Sequence, residues 1–400
     1  MRLVVIACLS AALLLNACAS PATATPTALP PAAATFSPAD DRPPPMLRGE
    51  FTTDFARHAV PYSEIISGGP PKDGIPVIDA PQFVPPAEAD GWLEAVEPVI
   101  LLELNGDVRA YPLQILTWHE LVNDTVGGVP VAVTFCPLCN TAIAFERTVA
   151  GQVLDFGTTG RLRYSNLLMY DRQSESWWQQ ATGQAIVGEL TGAQLTVLPA
   201  AIISWQDFQA AYPQGQVLSR ETGFQRDYGR NPYAGYDDVN VSPFQYTSWL
   251  TSYRGPATPS DLPPMARVLT VAIGDDAVAY PYELLAAEQV VNDTVGDVDI
   301  VVLWAAGTAS ALDAAQIAEG RDVGAAGAFA RALDGQTLTF HAAEGKLLDQ
   351  ETGSEWNVLG LAVAGPLTGQ RLEPIVALNH FWFSWAAFMP QTRFYAGAAP

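Results

Sequence analysis

Short apolar runs separated by turn residues predict a chain built mainly of β-strands. Residues 129–135 are almost continuously apolar, as in a strand buried on both faces. Further strands are predicted downstream, at residues 141–149, 153–157, 167–172, 176–180 and 185–190. Because few helical patterns interrupt these runs, the predicted fold class is α+β, strand-rich and mostly antiparallel.

Two helices are predicted among these strands. The first begins at Pro112, a residue type suited to a first helical turn. Its apolar face has the i, i+3, i+7 spacing and consists of Ile115, Trp118 and Val122. The Asn-Asp pair at 123–124 is expected to end this helix and turn the chain. The second helix is expected to begin near Ser204, a favoured N-cap residue.

The chain also contains a long internal repeat. Residues 110–128 recur as residues 279–297, with ten identical positions of nineteen and no gap. The similarity extends to three further pairs of segments, which are 99–107 with 268–276, 190–195 with 367–372, and Ser204-Trp205 with Ser384-Trp385. We therefore predict two tandem homologous domains, at 46–240 and 241–400, packed as a pseudo-dimer.

The N-terminal residues predict export and a lipid anchor. Arg2 precedes an apolar stretch that is too short to span a membrane and is typical of a secretory signal. Cys18 follows in a context that resembles the bacterial lipoprotein signal, so residues 1–17 are predicted to be removed and Cys18 to be lipidated. The alternative is an ordinary signal peptide. Residues 18–45, rich in Ala, Pro and Thr, are predicted to be a disordered tether to the outer membrane or to the outer face of the cytoplasmic membrane.

Charge and cysteine content exclude two classes of protein. The chain has 42 acidic and 20 basic residues, a net charge of −22, which disfavours nucleic acid as a partner. Of its four cysteines, Cys8 lies in the leader and Cys18 directly follows it. Only Cys136 and Cys139 remain for the body, too few for a disulfide scaffold.

Cys136 and Cys139 form a Cys-Pro-Leu-Cys motif after the predicted buried strand, and three interpretations are open. The first is thiol redox chemistry, in which one thiol with a lowered pKa attacks and the other resolves. The second is a copper or open zinc site formed with His119 and completed by Asp171 or Glu120. The third is an inert disulfide, which stabilises little in so small a loop.

The repeat allows an internal comparison at this motif. A constant shift of 169 positions pairs Cys136, Cys139 and His119 with Ala305, Thr308 and Glu288. A residue needed only for the fold should recur, so the loss of all three favours a function in the first copy. The Asn-Asp pair recurs and is interpreted as structural.

Two further segments are candidates for a part in the site. Arg163, Tyr164 and Asn166 lie in a stretch that is shorter in the second copy, and they are candidate substrate-binding residues. The alternative is a polar hairpin. The aromatic stretch at residues 228–236 is either a lid or, as we favour, a linker between the copies.

Several long motifs occur together in this chain. They are Ser67-Gly-Gly-Pro-Pro-Lys-Asp-Gly-Ile-Pro-Val-Ile-Asp79, Arg109-Ala-Tyr-Pro112, His119-Glu120, Thr134-Phe-Cys-Pro-Leu-Cys-Asn140, Met169-Tyr-Asp-Arg172 and Tyr228-Gly-Arg-Asn-Pro-Tyr-Ala-Gly-Tyr236. Together they resemble the domain of unknown function DUF3179, over roughly residues 55–290. The resemblance implies an exported bacterial or archaeal protein without an established activity. It also implies redox chemistry at Cys136 and Cys139, since some members of that family carry selenocysteine in this motif.

We therefore predict an extracytoplasmic, membrane-anchored lipoprotein that carries out thiol redox chemistry. Cys136, Cys139 and His119 are its predicted catalytic residues, with His119 tuning the thiolate or moving protons. The predicted partners are the membrane, through Cys18, and a redox partner protein. Two alternatives stay open: copper or zinc binding by the same three residues, and a non-catalytic cell-surface binding module with a structural disulfide.

Overall fold

A computed structural model of the chain describes residues 41, 43, 49–238, 255–259 and 261–397. The predicted signal and most of the predicted tether, including Cys18, lie outside the described residues. Within the described part, β-strands in mostly antiparallel sheets predominate, and the helices are few and short. The strand-rich, mostly antiparallel prediction is therefore confirmed. None of the described helices is long and apolar enough to cross a membrane.

The first half of the described chain contains four sheets and three α-helices. Its elements are β1 (Ile65–Ser67), β2 (Phe83–Val84), α1 (Pro86–Ala89), β3 (Pro98–Leu104), β4 (Asp107–Pro112), α2 (Leu113–His119), β5 (Leu121–Val126), β6 (Val129–Cys136), β7 (Thr141–Glu146), β8 (Thr148–Val149), β9 (Gln152–Val153), β10 (Phe156–Arg163), β11 (Asn166–Asp171), β12 (Trp177–Gln179), β13 (Gln184–Val187), β14 (Thr196–Leu198), β15 (Ala200–Ser204), α3 (Trp205–Ala211) and β16 (Gln216–Leu218). The sheet orders are β1-β10-β11-β12-β13, β14-β7-β6-β5 and β15-β3-β4-β16-β2, and β8 pairs with β9. Only β16 and β4 pair in parallel among these strands.

The second half repeats this arrangement in shorter form. Its elements are β17 (Arg267–Ile273), β18 (Asp276–Pro281), α4 (Tyr282–Glu288), β19 (Val290–Val295), β20 (Val298–Ala305), β21 (Ala325–Ala330), β22 (Ala332–Leu333), β23 (Gln336–Thr337), β24 (Phe340–Ala343), β25 (Lys346–Asp349), β26 (Glu355–Trp356), β27 (Ala362–Ala364), β28 (Ala377–Phe381), α5 (Trp382–Phe388) and β29 (Arg393–Phe394). The sheet orders are β28-β17-β18-β29, β19-β20-β21, β24-β25-β26-β27 and β22-β23.

The repeat extends to the order and bounds of the elements, but with two shifts. Elements β3 to β6 match β17 to β20 at the predicted shift of 169, and α3 matches α5 at a shift of 177. The predicted match of Ser204-Trp205 with Ser384-Trp385 is therefore wrong by three residues. Ser204 caps α3 by accepting a hydrogen bond from the Asp207 amide, whereas Phe381 occupies the same place before α5.

The first predicted helix is shorter than its apolar pattern indicated. Pro112 is the N-cap of α2, and the helix ends at His119 because Glu120 adopts a left-handed conformation with φ of 59°. The chain then enters β5 directly, so Val122 lies on a strand and the Asn-Asp pair at 123–124 does not turn the chain. The predicted end of this helix is therefore wrong.

Asn123 and its counterpart Asn292 make two equivalent hydrogen bonds. The Asn123 side chain donates to the Phe156 carbonyl at 2.8 Å and accepts from the Phe156 amide at 2.9 Å. Asn292 makes the same two bonds to Phe340, at 2.8 and 2.9 Å. These bonds join two sheets in each half, which agrees with a structural role for this residue.

The two halves share one hydrophobic core. The largest cluster of buried residues contains Cys136 and Cys139 together with Val268, Leu378 and Phe381 of the second half. Strand β7 contacts β28, and β15 contacts β21. By the repeat, β7 corresponds to β21 and β15 to β28, so the two contacts are reciprocal.

Candidate functional site

The Cys-Pro-Leu-Cys motif forms a tight turn between two buried strands. β6 ends at Cys136, a single 3₁₀ turn spans Pro137–Cys139, and Asn140 closes it with φ of 50° before β7 begins. Both thiols are free and buried, with 2% of Cys136 and none of Cys139 exposed to solvent. The turn therefore holds two free thiols away from water.

A neighbouring hairpin presents its backbone to the two sulfurs. Tyr164 and Ser165 join β10 to β11 with φ of 54° and 63°, the conformation of a two-residue hairpin turn. The Ser165 carbonyl accepts hydrogen bonds from the thiols of Cys139, at 3.3 Å, and Cys136, at 3.9 Å. The Leu167 amide favours the thiolate of Cys136.

The side chains predicted to line the site have other partners. Arg163 forms an ion pair with Glu64 at 2.8 Å and stacks on the Tyr164 ring. The Tyr164 ring packs against Phe388 of the second half. The buried Asn166 side chain bonds Gln180, Gln179 and the Ala181 amide. The hairpin alternative describes this segment better, and its contribution at the thiols comes from backbone groups.

Glu120 is a second titratable group of the site. It follows α2 directly, and its carbonyl accepts a hydrogen bond from the Phe135 amide, one residue before Cys136. The side chain is 7% exposed, and burial raises the pKa of Glu120 to about 8. In the second half the same left-handed position is occupied by Gln289, whose carbonyl accepts from Trp304. The second half therefore keeps the backbone geometry but lacks the acid.

The Cys136 thiol is held in its protonated form. Burial raises its pKa well above the usual range, and the neighbouring Cys139 and Glu120 groups raise it further. The expectation of a lowered pKa therefore does not apply to Cys136 in this buried state. A negative charge on Glu120 therefore disfavours the thiolate of Cys136.

Both ring nitrogens of His119 are engaged away from the thiols. Nδ1 lies 2.6 Å from the Pro76 carbonyl, which only accepts, so the proton sits on Nδ1 and Nε2 accepts from the Tyr228 hydroxyl at 2.6 Å. Burial lowers the pKa of His119 and keeps the ring neutral. Its counterpart Glu288 likewise accepts from a tyrosine, Tyr395. The contacts of His119 are thus those of a structural residue that joins α2 to Pro76 and Tyr228.

The hydrogen bond between His119 and Tyr228 holds residues 222–238, the cover segment, against the site. Besides the Tyr228 hydrogen bond to His119, the Tyr236 hydroxyl donates to the Leu138 carbonyl inside the Cys-Pro-Leu-Cys turn at 2.9 Å. Burial raises the pKa of Tyr233 well above its usual value, and the charges of Glu120 and Cys136 add to this. The favoured linker interpretation is therefore incomplete, because the segment also covers the thiols.

The cover segment is anchored to the second half. The Asn231 amide donates to the Ala315 carbonyl at 2.9 Å. Asp237 is fully buried and forms ion pairs with Arg267 and with Arg321. Access to the thiols therefore depends on contacts with both halves.

The predicted three-residue metal set is not assembled in this structure. Across residues 49–238 and 261–397, no group of three or more His, Cys, Asp or Glu side chains is placed to share an ion. Asp171, proposed to complete the set, accepts from the Trp178 indole at 2.9 Å. Asp349 makes the same bond to Trp356 at 2.9 Å in the half that lacks the cysteines, which indicates a structural role.

The predicted match of Cys139 with Thr308 is wrong. Cys136 and Ala305 both end equivalent strands, and they pair with Thr141 and Ala325 respectively. Four residues separate the first pair, whereas loop 306–324 separates the second. Thr308 belongs to this loop and is therefore not the structural counterpart of Cys139.

Sequence reasoning missed the importance of Glu120. The signal was present, because the aligned repeat places Gln289 opposite Glu120 beside the His119 to Glu288 exchange. An acid replaced by its amide keeps the shape and removes only the titratable group, which is a more specific change than the loss of histidine.

Comparison with known proteins identifies a family but no activity. The family described as "Protein of unknown function (DUF3179)" matches residues 72–392. No curated protein and no solved structure shows significant similarity to the chain. Since the family match spans most of the sequence, the chain belongs to the DUF3179 family.

Proposed function

We propose that this protein carries out thiol–disulfide exchange through Cys136 and Cys139, with Glu120 as the proton acceptor. The observation that carries the proposal is a pair of free, buried thiols in one tight turn, beside a buried acid whose pKa burial raises to about 8. The repeated scaffold in the second half has Ala305 and Gln289 at the positions of Cys136 and Glu120. The scaffold thus recurs without the reactive groups.

The proposed reaction uses a disulfide as the oxidant. Glu120 takes the proton of one thiol, and the resulting thiolate attacks a sulfur of the partner disulfide. That disulfide bond breaks, its leaving thiolate takes a proton, and a mixed disulfide remains. The second cysteine then attacks the mixed disulfide, which closes the Cys136–Cys139 bond and releases the partner's second thiol. Two protein thiols are oxidised and one partner disulfide is reduced to two thiols.

Partner access requires the cover segment to move in this proposal. Both sulfurs are buried, and Tyr236 and Tyr228 tie the segment to the turn and to His119. His119 would then act on access, rather than on the proton of the thiol. Opening the segment would also hydrate Glu120 and Cys136, which lowers the cost of ionising both.

We also propose that the two halves pack as a pseudo-dimer. The reciprocal contacts of β7 with β28 and of β15 with β21 support this arrangement, because a two-fold interface uses the same surfaces twice.

The proposed location is the outer surface of a membrane, reached through a lipid on Cys18. The apolar leader and the context of Cys18 support it. We expect Cys18→Ser to prevent lipid labelling and to move the protein from the membrane fraction into the soluble exported fraction. Metabolic labelling with a fatty acid checks this, and unchanged labelling of the variant would contradict a lipid on Cys18.

Metal analysis separates the proposal from its two alternatives. We expect protein purified without oxygen to contain far less than one copper or zinc per chain and to show two reactive body thiols after unfolding. A stoichiometric metal that is lost in Cys136→Ser would establish the metal alternative. A pair that remains a disulfide under strong reductant would establish the structural one.

A further inference from the structure

The second half reaches the thiol turn through one buried histidine. His380 lies on β28, and its Nδ1 is 2.8 Å from the Thr141 hydroxyl at the start of β7. That hydroxyl also donates to the Cys139 carbonyl at 3.1 Å. A hydroxyl has one proton, so Thr141 accepts from His380 while it donates to Cys139. The three groups form a directed chain from the second half to the turn.

The equivalent contact on the other side of the molecule is apolar. The shift of 177 places Ile203 of β15 where β28 has His380, and both residues pair with equivalent strands, at Val99 and Val268. Ala325 occupies the place of Thr141 in the second half. Ile203 and Ala325 belong to one hydrophobic cluster. The fold therefore accepts an apolar pair here, and the polar pair occurs only beside the thiols.

The polar pair carries an energetic cost that packing does not explain. His380 and Thr141 have no solvent exposure, and His380 Nε2 has no hydrogen-bond partner among the described residues. A buried polar atom without a partner destabilises a fold. His380 carries this cost at a position where the first half has Ile203, which points to a role of His380 in the site.

We propose that His380 is a positioning residue that fixes the Cys-Pro-Leu-Cys turn through Thr141 and thereby sets the thiol–disulfide equilibrium of Cys136 and Cys139. The second half thus completes a site whose cysteines it lacks. This inference rests on the proposed exchange function. On this proposal, the second half fixes the Cys139 backbone through His380 and Thr141, and that position sets the separation of the two sulfurs.

The test measures the equilibrium constant of the Cys136–Cys139 pair with glutathione in the full chain. We expect His380→Leu and Thr141→Val each to change this constant about tenfold, which corresponds to about 30 mV. The double variant should change it no further, because both changes break the same chain of hydrogen bonds. His380→Asn, whose amide replaces the Nδ1 donor, should restore most of the wild-type value. Ile203→Leu is the matched control and should leave the constant unchanged.

The outcomes separate this inference from the proposed function. If His380→Leu and Thr141→Val lower the unfolding temperature but leave the constant within twofold of wild type, His380 is only structural and the inference fails alone. Additive effects in the double variant would also overturn it. If the wild-type pair does not equilibrate with glutathione at all, the exchange function fails first. Should His380→Leu not fold, His380→Asn against Thr141→Val gives the same comparison.

Discussion

Replacing Glu120 with glutamine is expected to stabilise the protein at neutral pH. The unfolded chain ionises this acid near its ordinary pKa of 4.5, whereas burial raises the folded value to about 8. The stability tied to the protonated form is therefore complete below about pH 4.5 and is lost as the pH rises through about 8. At pH 7 the cost to the wild type is of the order of 3 kcal/mol, and Glu120→Gln removes it.

Denaturant unfolding at several pH values measures this effect. We expect the gain in the free energy of unfolding to be near zero at pH 4 and to grow through pH 8. Gln289→Glu is the matched control, because it places an acid at the equivalent left-handed position, which is less buried. A Glu120→Gln protein that is no more stable than wild type at pH 7 would show that Glu120 is not a buried acid.

The same substitution is expected to slow thiol exchange, because a neutral amide takes no proton. General-base catalysis of this kind contributes roughly 100-fold or more. A protein that becomes more stable as its reaction slows shows the trade-off expected of an acid kept for function. An exchange rate unchanged in Glu120→Gln would remove Glu120 from the proposed mechanism.

Removing either body cysteine is expected to stop the reaction halfway. A single remaining thiol can form a mixed disulfide with a small disulfide, but no second cysteine is present to resolve it. We expect Cys136→Ser and Cys139→Ser to differ in rate of capture, the faster thiol being the one that attacks in the wild type. Mass spectrometry of the protein after incubation with oxidised glutathione measures this. Equal, negligible capture in both variants would contradict exchange at this pair.

The sequence predicted the architecture better than the environment of the site. Strand content, the repeat and the position of the Cys-Pro-Leu-Cys turn follow from local patterns. The end of α2 could not be predicted in this way. Glu120 ends the helix in a left-handed conformation, which is usually signalled in a sequence by glycine, and no glycine occurs at this position. A residue such as Val122 continues the helical spacing even though it lies on a strand.

The groups around the thiols could not be predicted from spacing. Whether Arg163 or Ser165 faces the sulfurs depends on the geometry of the hairpin turn. In the structure, the group that contacts the Cys139 sulfur is the Ser165 backbone carbonyl. The length of loop 306–324 breaks the constant shift that paired Cys139 with Thr308. His380 contacts Thr141 across more than half of the chain, and only the packing of the two halves reveals it.

The most direct test of thiol exchange is a redox titration of the wild-type chain in glutathione buffers, followed by alkylation and mass measurement. Exchange at this site predicts a single reversible transition in which Cys136 and Cys139 gain or lose two alkyl groups together. A pair that stays alkylated, or stays closed, across the whole range of buffers would contradict it.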